Sequence, residues 1–122
     1  MTDPRRGLGQ RGEELAVAEL ARRGYEIRQR NWRCSEGEID VVAKHDDWLV
    51  FVEVRTRRGR DLGTPEVSIT PTKRARLIRV AEVYLAEAEP RDVDWRIDVV
   101  AVEMTRSGKL LRIEVYENAV TG

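Results

Sequence analysis

The sequence predicts an α/β domain, a mixed five-stranded sheet flanked by helices in the order αβββαββ. Three observations carry this expectation. Residues 48–54 are apolar for five positions before their first charge, the pattern of a strand buried on both faces in the middle of a sheet. The first three strands are joined by short polar connections, which favour antiparallel pairing. A helix of roughly 20 residues separates the third strand from the fourth, long enough for a parallel crossover.

At 122 residues the chain is expected to form one domain. Residues 1–9 are polar and glycine-containing and read as a loose start. A helix is expected from residue 10 or 11 to residue 23. Glu13 and Glu14 would lie in its first turn and Arg22 and Arg23 in its last, each where the helix dipole favours it. Leu15, Ala16, Val17, Ala18, Leu20 and Ala21 give it a broad apolar side, and Gly24 suits its C-terminal cap. Residues 25–32 alternate, with Tyr25 and Ile27 between Glu26, Arg28 and Arg30, as in a strand exposed on one face. A connection over 31–37 leads to a strand over 38–44. The polar turn His45-Asp46-Asp47 joins it to the central strand over 48–55. Residues 56–69 hold three arginines, Gly63 and Pro65 without periodicity, and read as a long functional or mobile loop. Thr70 caps the second helix, Pro71 suits its first position, and Pro90 stops it after Glu89. Its core stripe is Leu77, Ile78, Ala81, Tyr84, Leu85 and Ala88. A fourth strand over 94–104, a turn at Thr105-Arg106-Ser107-Gly108 and an edge strand over 110–116 complete the sheet.

No apolar run nears the roughly 20 residues that span a bilayer. The N-terminus lacks the apolar stretch of a secretory signal. One cysteine, Cys34, excludes an internal disulfide and a multi-cysteine zinc site. The single histidine, His45, reads as a solvated turn residue, which disfavours a nucleophile–histidine triad. A cytoplasmic location with no membrane partner is expected. Net charge is zero, with 22 basic and 22 acidic residues, and gives no global footprint for nucleic acid. Its distribution is uneven. Residues 34–54 hold 1 basic and 6 acidic residues, and residues 55–79 hold 8 basic and 2 acidic. That order suits a site binding a cation and a polyanion together, and it equally suits mutual neutralisation across the fold.

The central strand ends Glu53-Val54-Arg55. Side chains alternate along a strand, so Glu53 and Arg55 share a face. Asp40 stands on the neighbouring strand. Pairing that sets it opposite Glu53 would gather two carboxylates and a cation on one patch. Buried charges need a partner or a metal, whereas exposed ones at a strand end would simply form salt bridges. Phosphodiester hydrolysis needs an activated water, a Lewis acid at the phosphate and neutralisation of developing charge. Mg²⁺ takes a few carboxylate oxygens and leaves the rest of its shell to phosphate and water. Asp40, Glu53 and the backbone carbonyl of Val54 are therefore the candidate metal ligands, with Mg²⁺ or Mn²⁺ the expected ion. Arg55 would hold the water or the phosphate. Glu14 would reach the same patch, or simply serve the helix dipole. Glu38 shares a face with Asp40 and equally reads as a solvated charge. Asp98 interrupts an apolar strand and reads as structural, paired with a basic helix residue.

Asp40 followed by Glu53-Val54-Arg55 on the next strand resembles the PD-(D/E)xK nuclease signature. The ordered set Gly9-Gln10-Arg11-Gly12-Glu13-Glu14-Leu15-Ala16, Gly24-Tyr25-Glu26-Ile27, Arg30-Asn31-Trp32-Arg33, Gly37-Glu38-Ile39-Asp40, Leu49 to Arg55, Gly63-Thr64-Pro65-Glu66, Lys73 and Arg96-Ile97-Asp98-Val99-Val100 is similar to the YraN-like family of small bacterial proteins, over residues 9–102. That family is similar in fold and site layout to archaeal Holliday-junction resolvases. The resemblance implies a restriction-endonuclease-like core. It also implies that Glu14, Asp40 and Glu53 are the metal-binding acids, with Arg55 where the superfamily usually has lysine. Arginine stays protonated and cannot act as a general base, although it can clamp a phosphate. Lys73, on the following helix, is a candidate to supply a lysine. Arg57, Arg58, Arg60, Lys73, Arg74 and Arg76 are expected to grip phosphates. DNA, branched DNA included, is the expected partner, and a homodimer follows by analogy. The expected function is a Mg²⁺-dependent endonuclease. Two alternatives stay open, a nucleic-acid-binding module without catalysis and a protein-interaction domain that keeps the fold.

Overall fold

Helix α1 runs Pro4–Arg22, starting well before the expected position. Proline suits a first helical position because the N–H it lacks has no partner there. In the computed structural model the described residues are 4–59, 69–88 and 93–120, with side chains from residue 9 onward. The early start moves Glu13 and Glu14 to mid-helix, where the dipole no longer accounts for them. Gly24 ends the helix at φ 93°, its N–H donating to the Ala21 carbonyl at 3.1 Å.

Strands β1 (Glu26–Cys34) and β2 (Gly37–His45) form the first hairpin, and the connection expected over 31–37 shrinks to Ser35 and Glu36. Asn31 stays within β1 at φ 55°, a left-handed conformation that asparagine tolerates. Strand β3 (Trp48–Arg58) takes in the first residues of the expected loop, and residues 60–68 of that loop lie outside the described residues. Helix α2 runs Pro71–Ala88, and Thr70 caps it as expected, its Oγ1 accepting the Lys73 N–H at 3.1 Å. The expected stop at Glu89 and Pro90 lies outside the described residues. Strand β4 (Asp94–Met104) leads through the expected turn, where the Gly108 N–H donates to the Thr105 carbonyl at 2.9 Å. Strand β5 (Leu110–Val120) runs past its expected end at Tyr116 because Asn118 adopts φ 50°.

The strand order is β1-β2-β3-β4-β5, so β3 is central, as its apolar run requires. The β1–β2, β2–β3 and β4–β5 pairs are antiparallel, and β3–β4 is the parallel crossover that α2 makes possible. The helices cover opposite faces. Ala16 and Leu20 of α1 pack with Val41, Ala43, Val50, Val52, Val100 and Val102. Leu77, Val80 and Ala81 of α2 pack with Val42, Phe51, Ile97 and Val99. Val80 joins that stripe and Ala88, expected in it, is exposed. Among the described residues no helix is long and apolar enough to cross a membrane.

Two polar residues, Asp98 and His45, differ from expectation. Asp98 is fully buried and structural, but its basic partner is Arg96 of its own strand, not a helix residue. His45 is not merely solvated. Its ring stacks on Tyr25 at 4.1 Å, and its Nδ1 lies 2.8 Å from Arg96 Nη2.

Candidate functional site

Strands β2 and β3 pair only from His45↔Trp48 to Val41↔Val52. Beyond that rung they part. The start of β2 stays with β1 through Trp32↔Ile39, Arg33↔Glu38 and Cys34↔Gly37. The end of β3 stays with β4, from Glu53↔Val99 to Arg58↔Met104. The sheet therefore opens into a fork at its centre. Asp40 and Glu53 are the first residues past the last rung on each side.

Asp40 spans the fork. Its Oδ2 accepts the Val54 N–H at 2.8 Å, replacing the missing ladder bond. In an extended strand the N–H and C=O of one residue point to the same side, so the Val54 carbonyl also faces this opening. Burial pushes the Asp40 carboxyl up to about 7, and the negative charge of Glu53 pushes the same way. The Val54 N–H opposes the rise, while Glu13 and Glu38 add to it.

Glu53 points toward α2. The Thr70 cap fixes where α2 begins and so places Lys73, whose Nζ lies 3.1 Å from Glu53 Oε1. The Glu53 side chain is only 13% exposed. A cavity of about 380 Å³ is lined there by Glu53, Val54, Arg55, Thr70 and Lys73. Glu53 and Arg55 line the same cavity, and the fork brings Asp40 within electrostatic reach of Glu53.

On the α1 side Asp40 and Val54 line a cleft of about 990 Å³ with Gln10, Glu13, Glu14, Glu38 and Thr56. Its other wall is β1, with Arg30, Asn31 and Arg33. Gly12 lets α1 settle over the fork, since a Cβ there would lie 2.1 Å from Thr56 Oγ1. Glu14 stands exposed on the rim of this cleft, whereas Glu13 is half-buried, bonded to Arg30 at 3.3 Å, and is the helix acid whose field reaches Asp40. Glu38 faces Arg33 at 3.6 Å. Among the described residues no three His, Cys, Asp or Glu side chains gather as a ligand set, so the close acids are the pair Asp40 and Glu53.

The basic residues divide. Lys73 is at the fork. Arg58 is exposed and its Nη1 donates to the Arg106 carbonyl at 3.2 Å, while Arg57 is half-buried. Arg74 and Arg76 are exposed on α2, and the Arg76 stem lies over Gly37. Arg60 lies outside the described residues. In the sequence Arg30, Asn31 and Arg33 stand only within a stretch that carries the family resemblance, with no site role expected of them. Their alternation looks like the wet face of an edge strand, and only the left-handed turn at Asn31 sets them around a cleft.

A family described as the uncharacterised protein family UPF0102 matches residues 12–102. The chain is 53% identical over 121 residues to a UPF0102 protein of Roseiflexus castenholzii, covering 98% of each. A UPF0102 protein of Moorella thermoacetica is 45% identical over 119 residues, 98% of this chain and 99% of that one. One of Nocardia farcinica is 48% identical over 101 residues, 83% and 80% of the two chains. The YraN-like resemblance in the sequence is to this family, and the chain belongs to UPF0102.

Proposed function

We propose that this protein is a divalent-metal-dependent endonuclease that hydrolyses DNA phosphodiester bonds, with branched DNA the substrate implied by its resemblance to junction resolvases. On this proposal the sheet is a restriction-endonuclease-like core. One observation carries it: two carboxylates, Asp40 and Glu53, flank a strand fork, with Asp40 held by the Val54 N–H and its carboxyl pushed up to about 7 by burial and by the Glu53 charge. A structural ion pair would place a cation between them. Here Lys73 is bonded to Glu53, while Asp40 is governed by burial and by neighbouring acids, offset by the Val54 N–H.

The donor set fits Mg²⁺ or Mn²⁺. Two carboxylates and a carbonyl oxygen on one edge are hard oxygen donors, and Mg²⁺ needs only one or two carboxylates when phosphate and water complete its shell. Asp40, Glu53 and the Val54 carbonyl would hold the ion. When bound, it would supply Lewis acidity at a phosphate oxygen. Lys73 neutralises Glu53 and stands in the cavity where charge develops, the place Arg55 cannot fill as a proton acceptor. Arg55 clamps a phosphate from the same cavity, and Arg30 and Arg33 offer cations along the α1-side cleft. A second reading, DNA binding without catalysis, is favoured by Arg55 alone.

Cleavage of labelled linear, single-stranded and four-way-junction DNA, each with Mg²⁺, Mn²⁺ or EDTA, separates the readings. The expected result is metal-dependent cutting, strongest on the junction and abolished in Asp40→Ala and Glu53→Ala. Lys73→Ala should slow it by about 10²-fold while DNA affinity falls only a few-fold. Salt-sensitive binding without cutting would establish the second reading. No binding to any of these DNAs would reject both.

A further inference from the structure

Strand β5 is the edge of the sheet far from the fork. Strand β4 pairs with one side, and among the described residues no strand covers the other. Uncovered edges are templates for further pairing, and proteins usually blunt them with charges or bulges. The β5 register shifts at both ends, between Glu103 and Met104 and between Ile97 and Val99 on the β4 side. Between these shifts the stretch from Arg112 to Tyr116 is regular. Leu111, the extra residue of the shift before it, is 56% exposed, and Leu110 is 38% exposed. Ile113 and Val115 are only partly buried against the α1 layer. On the opposite face Arg112 Nη2 lies 2.9 Å from Glu114 Oε1.

This edge is complementary to itself. When two identical strands pair antiparallel, the faces of the joint sheet stay continuous only if opposing residue numbers have an even sum. A register centred on Arg112 sets Arg112 against Arg112, and one centred on Glu114 sets Glu114 against Glu114. A register centred on Ile113 sets Arg112 against Glu114 of the second copy, twice, and Ile113 against Ile113 on the axis. Opposite charges directly across a strand pair stabilise it and like charges destabilise it.

We propose that β5 pairs antiparallel with β5 of a second copy of this chain, about a twofold axis at Ile113. The two sheets become one, and the apolar side chains of Ile113 and Val115 continue across the axis. One strand pair buries less than a standard interface, so the dimer is weak, with a dissociation constant on the order of micromolar to tens of micromolar. The proposal is independent of the nuclease reading, because the fork lies at β2–β3 and draws no residue from β5.

Sedimentation of the full chain from about 1 to 500 µM tests it, a range that brackets the expected constant. The expected result is a reversible monomer–dimer equilibrium. Arg112→Glu, and separately Glu114→Arg, should weaken the dimer at least tenfold by setting like charges across the axis, and the double variant should return to within about threefold of the starting value. Circular dichroism of each variant confirms a folded monomer. In a Cys34→Ser background, Ile113→Cys should form an intermolecular disulfide, because directly opposed residues lie within bridging distance. A chain monomeric throughout this range, a dimer indifferent to the charge changes, or one that both single variants break and the double fails to restore would each overturn the proposal.

Discussion

Asp40 is a carboxylate whose surroundings oppose its ionisation. Its folded value of about 7 stands above the ordinary 3.8, chiefly from burial and then from Glu53. The folded chain therefore binds this proton more tightly than the unfolded chain does. Stability contributed here is full below pH 4 and is lost as pH rises toward 7. Asp40→Asn keeps an oxygen for the Val54 N–H and removes the charge. It should match the parent protein near pH 4 and exceed it at pH 8 by about 1–3 kcal/mol in urea unfolding. A bound divalent ion would relieve the same repulsion, in competition with the proton. Mg²⁺ should therefore raise the melting temperature of the parent protein more at pH 8 than at pH 5.5, and leave Asp40→Asn nearly unmoved. Equal shifts at both pH values would argue against an ion at Asp40.

At the scale of elements, the fork depends on α1 lying close over β3. Alanine in place of Gly12 would gain about 1 kcal/mol from helix propensity. Its Cβ, however, would lie 2.1 Å from Thr56 Oγ1 and 2.9 Å from Thr56 Cγ2. Overpacking of that kind costs about 1–3 kcal/mol, so the clash wins. Gly12→Ala should lower the denaturant midpoint, and adding Thr56→Ala should recover part of the loss. The central strand and the crossover helix were legible in the sequence because their signals are local: an unbroken apolar run in one, Thr70-Pro71 and a 3.6-residue stripe in the other. The true starts and ends of α1, β1 and β5 were not, because Gly7 and Gly9 read as loose, Asn31 reads as the start of a connection, and the alternation of the last strand fades after Tyr116. Asn31 and Asn118 instead take a left-handed conformation inside their strands. Asp40 and Glu53 were legible as a pair from their strands. The fork between them, the placing of Lys73 and the cleft wall of Arg30 and Arg33 depend on where a ladder stops, which no run of residues records.

Across the whole molecule, two buried or half-buried aspartates stand in one sheet, on β2 and β4 with β3 between them, and their surroundings differ in kind. Asp98 is 0% exposed and fully answered. It accepts the Tyr25 hydroxyl at 2.7 Å, Arg96 Nε at 2.9 Å, Arg96 Nη2 at 3.2 Å and the Asn118 N–H at 2.8 Å. Through Arg96 the network reaches His45 at the end of β2, so it ties β2, β4 and β5 to the residue that leads into β1. Asp40 has the Val54 N–H and a second carboxylate nearby. A carboxylate kept for the fold is surrounded by donors, while one kept for a ligand is left short of them. The two should therefore respond oppositely to substitution. Asp98→Ala leaves the Arg96 guanidinium and the Tyr25 hydroxyl without their acceptor in a buried place, and should lower stability by about 3–5 kcal/mol. Cutting per folded molecule should be unchanged, measured well below the melting temperature. Asp40→Asn should be at least as stable as the parent at pH 8 and should not cut. If Asp98→Ala abolished cutting in protein shown to be folded, or Asp40→Asn were the less stable of the two, the contrast between a fold-holding aspartate and a ligand-holding one would fail.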